Sequence, residues 1–489
     1  MMRAQLHVIL NPVSGGQQAE SILSSAVDPL LKRQEPKIEY QIRRTARPGH
    51  ASDITYDLLQ SAERTDGLSL RIALLGGDGT THEVLNGINR FHKARSQELP
   101  QIELAVVPTG TANALFAGLY PPHVQPASNG TTSCDTEHGW RLRSLKALLS
   151  SLCHSFPSSS PSAATSVPLT LAKASISSAD ETSAAKELVS HLVTSHAFHA
   201  SILLDSDSAD LRAKYPGVER FKVAAGMNAT RWTNYPLASA ILSTAETRSQ
   251  QSGTVRLLPY QKDDHGGEVS VEKYDARSRS WRSESLQEPA DHVQIEGPFF
   301  YFAALTTDRL EPAFVPGPFS AAKSTAAFRC PSQDEWQAIR CGLSRPSNAL
   351  DVVIIRPARD PAVQAAIKSL KSLSSGPIDW SSPSEAFDIK QRFAAMRLSP
   401  IMAAMYDEGK HIQLTYPLPD DAAAELATDG QGEYVVEYYR TGGYIWLAGN
   451  EGEGEERARV ACIDGAIVKG DRTEVRVVQN LTKHVRVWR

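Results

Sequence analysis

The chain has 489 residues, of which 41% are hydrophobic, and a formal net charge of -4. Such a length exceeds what one hydrophobic core usually supports, so two domains are expected, and the mild acidity excludes nucleic acid as the main partner because a polyanion needs a basic face. The apolar stretch after Met1-Met2-Arg3 is only Leu6–Leu10, too short for a signal peptide, and no later run reaches bilayer length. A cytosolic chain without a transmembrane segment is the expectation.

In chain order, Leu6–Leu10, Leu70–Leu75 and Leu104–Val107 are apolar runs of strand length, each followed by glycine or proline and then a helix-compatible stretch. This is the strand, turn, helix repeat of an open parallel sheet, in which ligands gather at the strand carboxyl ends. At those ends stand Asn11-Pro12-Val13-Ser14-Gly15-Gly16, Gly76-Gly77-Asp78-Gly79-Thr80-Thr81-His82-Glu83 and Pro108-Thr109-Gly110-Thr111-Ala112-Asn113. Glycine lets backbone N–H groups approach phosphate oxygens, and helix N-termini favour negative charge, so the three segments together read as a nucleoside triphosphate site. Asp78 would repel phosphate if left isolated. Its presence asks for a metal or a proton to handle.

From about Pro121 to Ser190 the composition turns to Ser, Pro and Ala, and Ser155–Ser166 has almost nothing to bury, which predicts an insertion or linker. Strand signals dominate afterwards: Phe299–Leu305, Val352–Ile355, Tyr434–Tyr439 joined through Thr441-Gly442-Gly443 to Tyr444–Leu447 as a hairpin, then Ala458–Ile463, Glu474–Val478 and Val485–Trp488. The expected organisation is residues 1–120 as one α/β domain, 121–190 as insertion or linker, and 191–489 as a mainly β domain whose last strands are free to return to the first. Five scattered cysteines suggest neither disulfides nor zinc. No Gly-x-x-x-x-Gly-Lys-Ser/Thr occurs, and Asn86 stands where a zincin has its second histidine.

These three segments resemble the catalytic domain shared by diacylglycerol, sphingosine and ceramide kinases. Asn11-Pro12 with Ser14-Gly15-Gly16, Thr45 ahead of His50-Ala51, Gly76–Gly79 with Glu83-Val84 and Asn86-Gly87, and Pro108, Gly110, Thr111, Asn113 with Ala114-Leu115 carry the likeness from Leu6 to about Leu119. Further on it is patchy. Phe198 through Asp205 and Asp207, then Lys214, Gly217 and Arg220-Phe221, resemble the stretch where such kinases place phosphate-binding arginines, with Lys214 in place of the first. Asp464-Gly465-Ala466 resembles the family's Asp-Gly-Glu with alanine for the acid. An NAD kinase also carries Gly-Gly-Asp-Gly, but the segments after it favour the lipid kinases.

The resemblance implies a Rossmann-like, ATP-binding α/β domain, a C-terminal β-sandwich lipid domain and a cleft between them. It implies that Asp78 takes the proton of a lipid's primary hydroxyl as that oxygen attacks the γ-phosphate, with Mg2+ bridging phosphate oxygens. Gly76, Gly77, Gly79 and Thr80 would cradle phosphate. Asn11, Ser14, Gly15, Gly16 and Thr45 would hold the nucleotide together with Pro108, Gly110, Thr111, Asn113, Lys214, Arg220, Asp464 and Gly465. Glu83 would position the site, against the plainer reading of a helix acid stabilised by the dipole. No metal ligand set is assigned. On the lipid side the implied residues are Phe198, Ser201, Leu203 and Asp205, and the protein would work peripherally at a membrane surface on ceramide, a sphingoid base or diacylglycerol. The competing reading is a catalytically degenerate regulator that binds lipid or nucleotide, with Ala466 and Lys214 recording lost chemistry.

Overall fold

The computed structural model describes residues 5–62, 69–95, 98–122, 138–153, 165–178, 185–215, 217, 219–232, 254–262, 268–286, 291–323, 335–373, 386–448 and 455–489. Its first sheet contains β1 (Gln5–Leu10), β2 (Glu39–Arg44), β3 (Leu70–Gly76) and β4 (Ile102–Pro108), all parallel, in the order β2-β1-β3-β4. The chain passes from β1 to β2 on one side and then to β3 on the other, so the order reverses at β1. Helices need room at such a point, and a crevice opens at the strand ends.

Strand alternation assigns each side chain to one of two helical layers. Ile9, Ile72, Leu74, Leu104 and Val106 face α1 (His50–Ala62) and α2 (Asp78–Ala94), whose Ile54, Leu58, Val84, Leu85, Ile88 and Phe91 pack on them. Leu6, Val8, Leu10, Ala73, Leu75, Ala105 and Val107 face the opposite layer. A short helix, α3 (Ala114–Leu119), follows β4.

Part of the stretch 121–190 departs from the linker reading. Leu142 and α4 (Arg143–Cys153) cover the second face of the sheet, with Leu142, Leu145, Leu148 and Leu149 buried there. Ser166–Pro168 and Val485–Trp488 extend the same sheet, the latter parallel to β4 and the former antiparallel to it. Residues 123–137 and 154–164, including most of the Ser/Pro-rich run, lie outside the described residues.

The rest of the chain is rich in antiparallel sheet. One sheet has eight strands, built around Val436–Thr441, Leu350–Ile355, Tyr301–Leu305 and Val193–His196; another has six, including Thr254–Leu258, Gly443–Leu447, Arg472–Val477, Ala172–Ser177 and Lys186–Ser190. Phe302, Val352, Ile354 and Tyr439 of the first share a core with Val255, Tyr444, Trp446 and Val475 of the second.

The expected hairpin at Gly442 is not formed. Val436–Thr441 pairs with Leu350–Ile355, whereas Gly443–Leu447 pairs with Thr254–Leu258 and Arg472–Val477, so the chain changes sheets at this glycine pair. A Cβ on Gly442 would lie 2.4 Å from Pro259 O, and one on Gly443 would lie 2.1 Å from Val475 O. The glycines are there for a close backbone crossing, which a turn prediction from Thr-Gly-Gly alone does not distinguish from a hairpin.

Asn86 fastens the two regions. Its Nδ2 donates to Val189 O (3.1 Å) and its Oδ1 accepts from Val189 N (2.9 Å), so a residue of α2 pairs with the strand Lys186–Ser190 like a short piece of backbone. Asn86→Ala leaves both backbone groups without their partner and is expected to lower stability by about 2–3 kcal/mol, read from urea melts. A loss below about 0.5 kcal/mol would show that water takes over both bonds.

Candidate functional site

The three glycine-rich turns meet at the carboxyl ends of β1, β3 and β4. Gly15, at φ +51°, lies so close to the third turn that a Cβ there would sit 2.4 Å from Thr109 O, and a Cβ on Gly110 would sit 2.4 Å from Gly77 Cα. Only hydrogen side chains allow this approach. Ser14 Oγ lies 2.7 Å from Thr109 Oγ1, and Asn11 Nδ2 donates to Thr80 Oγ1 at 3.0 Å, so polar side chains tie the first turn to both others. Asn113, in the left-handed region, brackets Gly110 by accepting from its N–H and donating to its C=O, each at 2.8 Å. Gly110→Ala forces the backbone apart with no flexible side chain to yield, and is expected to lower stability by about 1–3 kcal/mol in thermal or urea unfolding. An unchanged melt would mean that the turns are not in contact.

Asp78 opens α2 and points at the start of α3. Its Oδ2 accepts from Ala114 N (2.8 Å) and its Oδ1 from Leu115 N (3.1 Å). Burial raises its pKa above the usual carboxylate range, while the His191 charge and these two N–H groups act to lower it and Asp464 acts to raise it. An acid placed this way has a stronger affinity for a proton than a surface aspartate.

Glu83, one turn further along α2, accepts from Gly49 N (2.8 Å) and Ala51 N (3.1 Å) at the start of α1. It caps a neighbouring helix, a job that neither reading of the sequence specified. Thr45 is buried where β2 ends, its N–H donating to Leu10 O at 2.9 Å. Gly76 is buried and Pro108 O accepts from Arg141 (2.9 Å), while Gly16, Gly79 and Thr111 are exposed around the rim.

Other residues from the resemblance lie elsewhere. Lys214 is exposed, and Arg220 folds onto its own loop, donating to Gly217 O at 2.6 Å. Phe198 and Ser201 are buried in α5 (Ala197–Ser206), with Phe198 stacked on Phe300 at 4.6 Å, and Leu203 is partly buried. Asp205 accepts from Arg457 (2.9 Å), Asn228 (2.7 Å) and Arg231 (3.3 Å). Burial acts to raise its pKa, but these partners prevail and hold it low.

Asp464 is buried and surrounded by donors. Its Oδ1 accepts from Ser190 Oγ (2.7 Å), Leu192 N (3.0 Å) and Val193 N (2.9 Å). Oδ2 accepts from His191 N (2.8 Å) and lies 2.7 Å from His191 Nδ1 and 3.4 Å from His82 Nδ1. Burial would raise its pKa; the charge and hydrogen bonds of His191, then those of His82, hold it well below the ordinary value. Gly465 is exposed at φ +91°. Sequence reading missed His82, Asn86 and His191. His82 stands inside the second glycine segment and Asn86 three residues beyond it, whereas Ser190-His191 carries no local signal at all.

Among the described residues no cluster of three or more His, Cys, Asp or Glu could form a metal cage, and no helix is long and apolar enough to cross a membrane. The family described as the diacylglycerol kinase catalytic domain matches residues 5–138. Relatives include sphingoid long-chain bases kinase 1 of Arabidopsis thaliana, 33% identical over 108 residues (22% of this chain and 13% of that protein). Sphingosine kinase 1 of Rattus norvegicus is 32% identical over 120 residues, covering 24% and 29% of the two chains. A diacylglycerol kinase of Staphylococcus epidermidis (strain ATCC 35984) is 30% identical over 121 residues, covering 25% and 33%. The similarity thus spans a third or less of each relative's length.

Proposed function

We propose, from the match of residues 5–138 to the family described as the diacylglycerol kinase catalytic domain, that the chain is an ATP-dependent lipid kinase. The observation that carries the reading is the convergence of three glycine-rich turns on one acid, Asp78, whose carboxylate is fixed by Ala114 N and Leu115 N. Gly79 offers open backbone to phosphates, Gly15, Gly77 and Gly110 let the three turns close on one another, and Asn11 and Thr80 lock two of the turns in register. An acceptor hydroxyl oxygen then bonds to the γ-phosphorus as the bond to the β-phosphate oxygen breaks. Its proton passes to Asp78, and ADP leaves.

Mg2+ would suit this site as a passenger on the nucleotide, since it needs few protein ligands beside substrate phosphates and Asp78 stays free to take the proton. When bound it neutralises charge on the phosphates. The glycine turns orient the nucleotide whether or not that ion is present.

The acceptor is a sphingolipid or glyceride bearing a primary hydroxyl, and a neutral one is favoured. A buried ammonium needs a counter-charge, and Asp205 is already engaged by Arg457 and Arg231. A cavity of about 340 Å³, walled in part by Val363, Ile389, Phe393 and Met396, offers apolar volume for a hydrocarbon chain. Such a protein works peripherally where a membrane meets the cytosol.

Incubation with radiolabelled ATP and a panel of diacylglycerol, ceramide and sphingoid base tests both levels of the reading. A neutral acceptor is expected to be used at least as well as the free amine, with Asp205→Asn changing the ratio less than about twofold. Strong preference for the amine, abolished by Asp205→Asn, would restore a sphingoid-base kinase. No labelled lipid at all would favour a regulator that binds lipid or nucleotide without turnover.

A further inference from the structure

A small cavity lies where the two regions meet, with Leu115 of α3 on one wall and Thr170, His191, Thr306, Thr307 and Arg345 among the others. Leu115 also gives its N–H to Asp78, so the cavity adjoins the acid of the glycine turns. Its volume is about 40 Å³. At roughly 10–15 Å³ per water in this measure, that is room for a few water-sized groups, enough for a hydroxymethyl group and too little for a hydrocarbon chain.

Two polar atoms in this wall are buried without a hydrogen-bond partner, His191 Nε2 and Thr306 Oγ1. Such atoms are rare in folded proteins and ask for an occupant. The chemistry of each is fixed by what lies behind it. Asp464 lies 2.7 Å from His191 Nδ1, which takes up that ring nitrogen and leaves Nε2 as the open one. Thr306 has a hydroxyl hydrogen to give.

Arg345 brings a buried cation but no free donor. Its five N–H groups go to Ser320 O, Pro346 O, Ala349 O, Thr170 Oγ1 and Thr306 O. Burial lowers its pKa only to about 10, so it is charged at neutral pH. An ammonium entering the cavity meets that charge, and an anion finds none of its N–H groups available. A hydroxyl, with one hydrogen to give and lone pairs to receive, matches both open atoms.

We propose that this cavity is the headgroup subsite of the acceptor lipid, where a second hydroxyl of a neutral lipid, not the one that is phosphorylated, hydrogen-bonds to His191 Nε2 and Thr306 Oγ1. The subsite deepens the lipid-kinase reading and rests on it. Asp464 serves as its positioning residue, since its bonds to the backbone N–H and Nδ1 of His191 set the angle of the ring.

Two variants separate the subsite from its scaffold. Thr306→Val keeps shape and removes a hydroxyl that has no partner, so its thermal melt stays at or above that of the wild type. His191→Asn keeps an N–H donor near the Nδ1 position for Asp464 and deletes Nε2. With a short-chain ceramide, which carries a secondary hydroxyl beside the primary one, in mixed micelles, each variant is expected to raise the lipid KM about tenfold while leaving the ATP KM within twofold. An unchanged lipid KM in both variants would mean that only water fills the cavity, and a matching rise in ATP KM would assign it to the nucleotide; either overturns the subsite. Should the wild type phosphorylate no lipid, the kinase reading falls, and calorimetric titration with the same micelles decides the subsite. Binding weakened about tenfold in both variants upholds it, whereas equal binding, or none by the wild type, overturns it.

Discussion

Asp78→Asn is expected to lower lipid phosphorylation by about a hundredfold or more while leaving the chain folded. The substitution removes the proton acceptor and keeps the outline of the side chain. Its effect on stability is the sum of two small opposing contributions. Because burial raises the pKa of Asp78, the folded state holds its proton more tightly than the unfolded one. The sign is therefore that stability falls as pH rises from the unfolded value of 3.8 through the folded one, and the carboxylate is a liability at neutral pH. Asparagine removes that liability, but its amide can accept only one of the two N–H groups of Ala114 and Leu115, and the other loses about 1 kcal/mol. The melt of Asp78→Asn at pH 7 should accordingly lie close to that of the wild type. Initial rates with labelled ATP, set beside thermal melts, check both halves. Near wild-type turnover would remove Asp78 from the proposed chemistry, and a collapsed melt would make it a scaffold residue.

Much of the first sheet was legible because its signals are local. Leu6–Leu10 is read from an apolar run and Val485–Trp488 from alternation, and the structure returns strands at Gln5–Leu10 and Val485–Trp488. The three turns were legible for the same reason, since a strand, a glycine and a helix start follow one another directly. Leu142, Leu145, Leu148 and Leu149 also mark one face of a helix, but the Ser/Pro-rich neighbourhood hid that period, and a composition argument won where periodicity should have. The change of sheet at Gly442 was illegible on other grounds. What decides it is the distance to Pro259 O and Val475 O, two atoms remote in sequence. Asp464 illustrates the same limit: its partners Ser190, His191 and His82 are hundreds of residues away in sequence, so no local pattern announces them.

Asp464 should accordingly be among the residues whose loss is felt most by the fold. Asp464→Asn is expected to destabilise the chain by about 3–5 kcal/mol at pH 7, because a buried anion with six donors around it is replaced by an amide whose NH2 faces donors in turn. The comparison isolates charge. Asp464 sits at φ +49°, a conformation that asparagine adopts about as readily as aspartate, so no backbone strain is added. The depressed pKa fixes the sign of the pH dependence: the stability contributed by the carboxylate is complete above the unfolded value of 3.8 and is lost as pH falls from there through the folded value. The gap between the wild type and Asp464→Asn in urea melts should therefore be widest near neutrality and narrow below about pH 4. A constant gap across that range would show that the six contacts act through shape alone. The closing gap would instead identify one buried charge as what holds Ser190-His191 against α2, and with it the orientation of His191 toward the cavity beside Asp78.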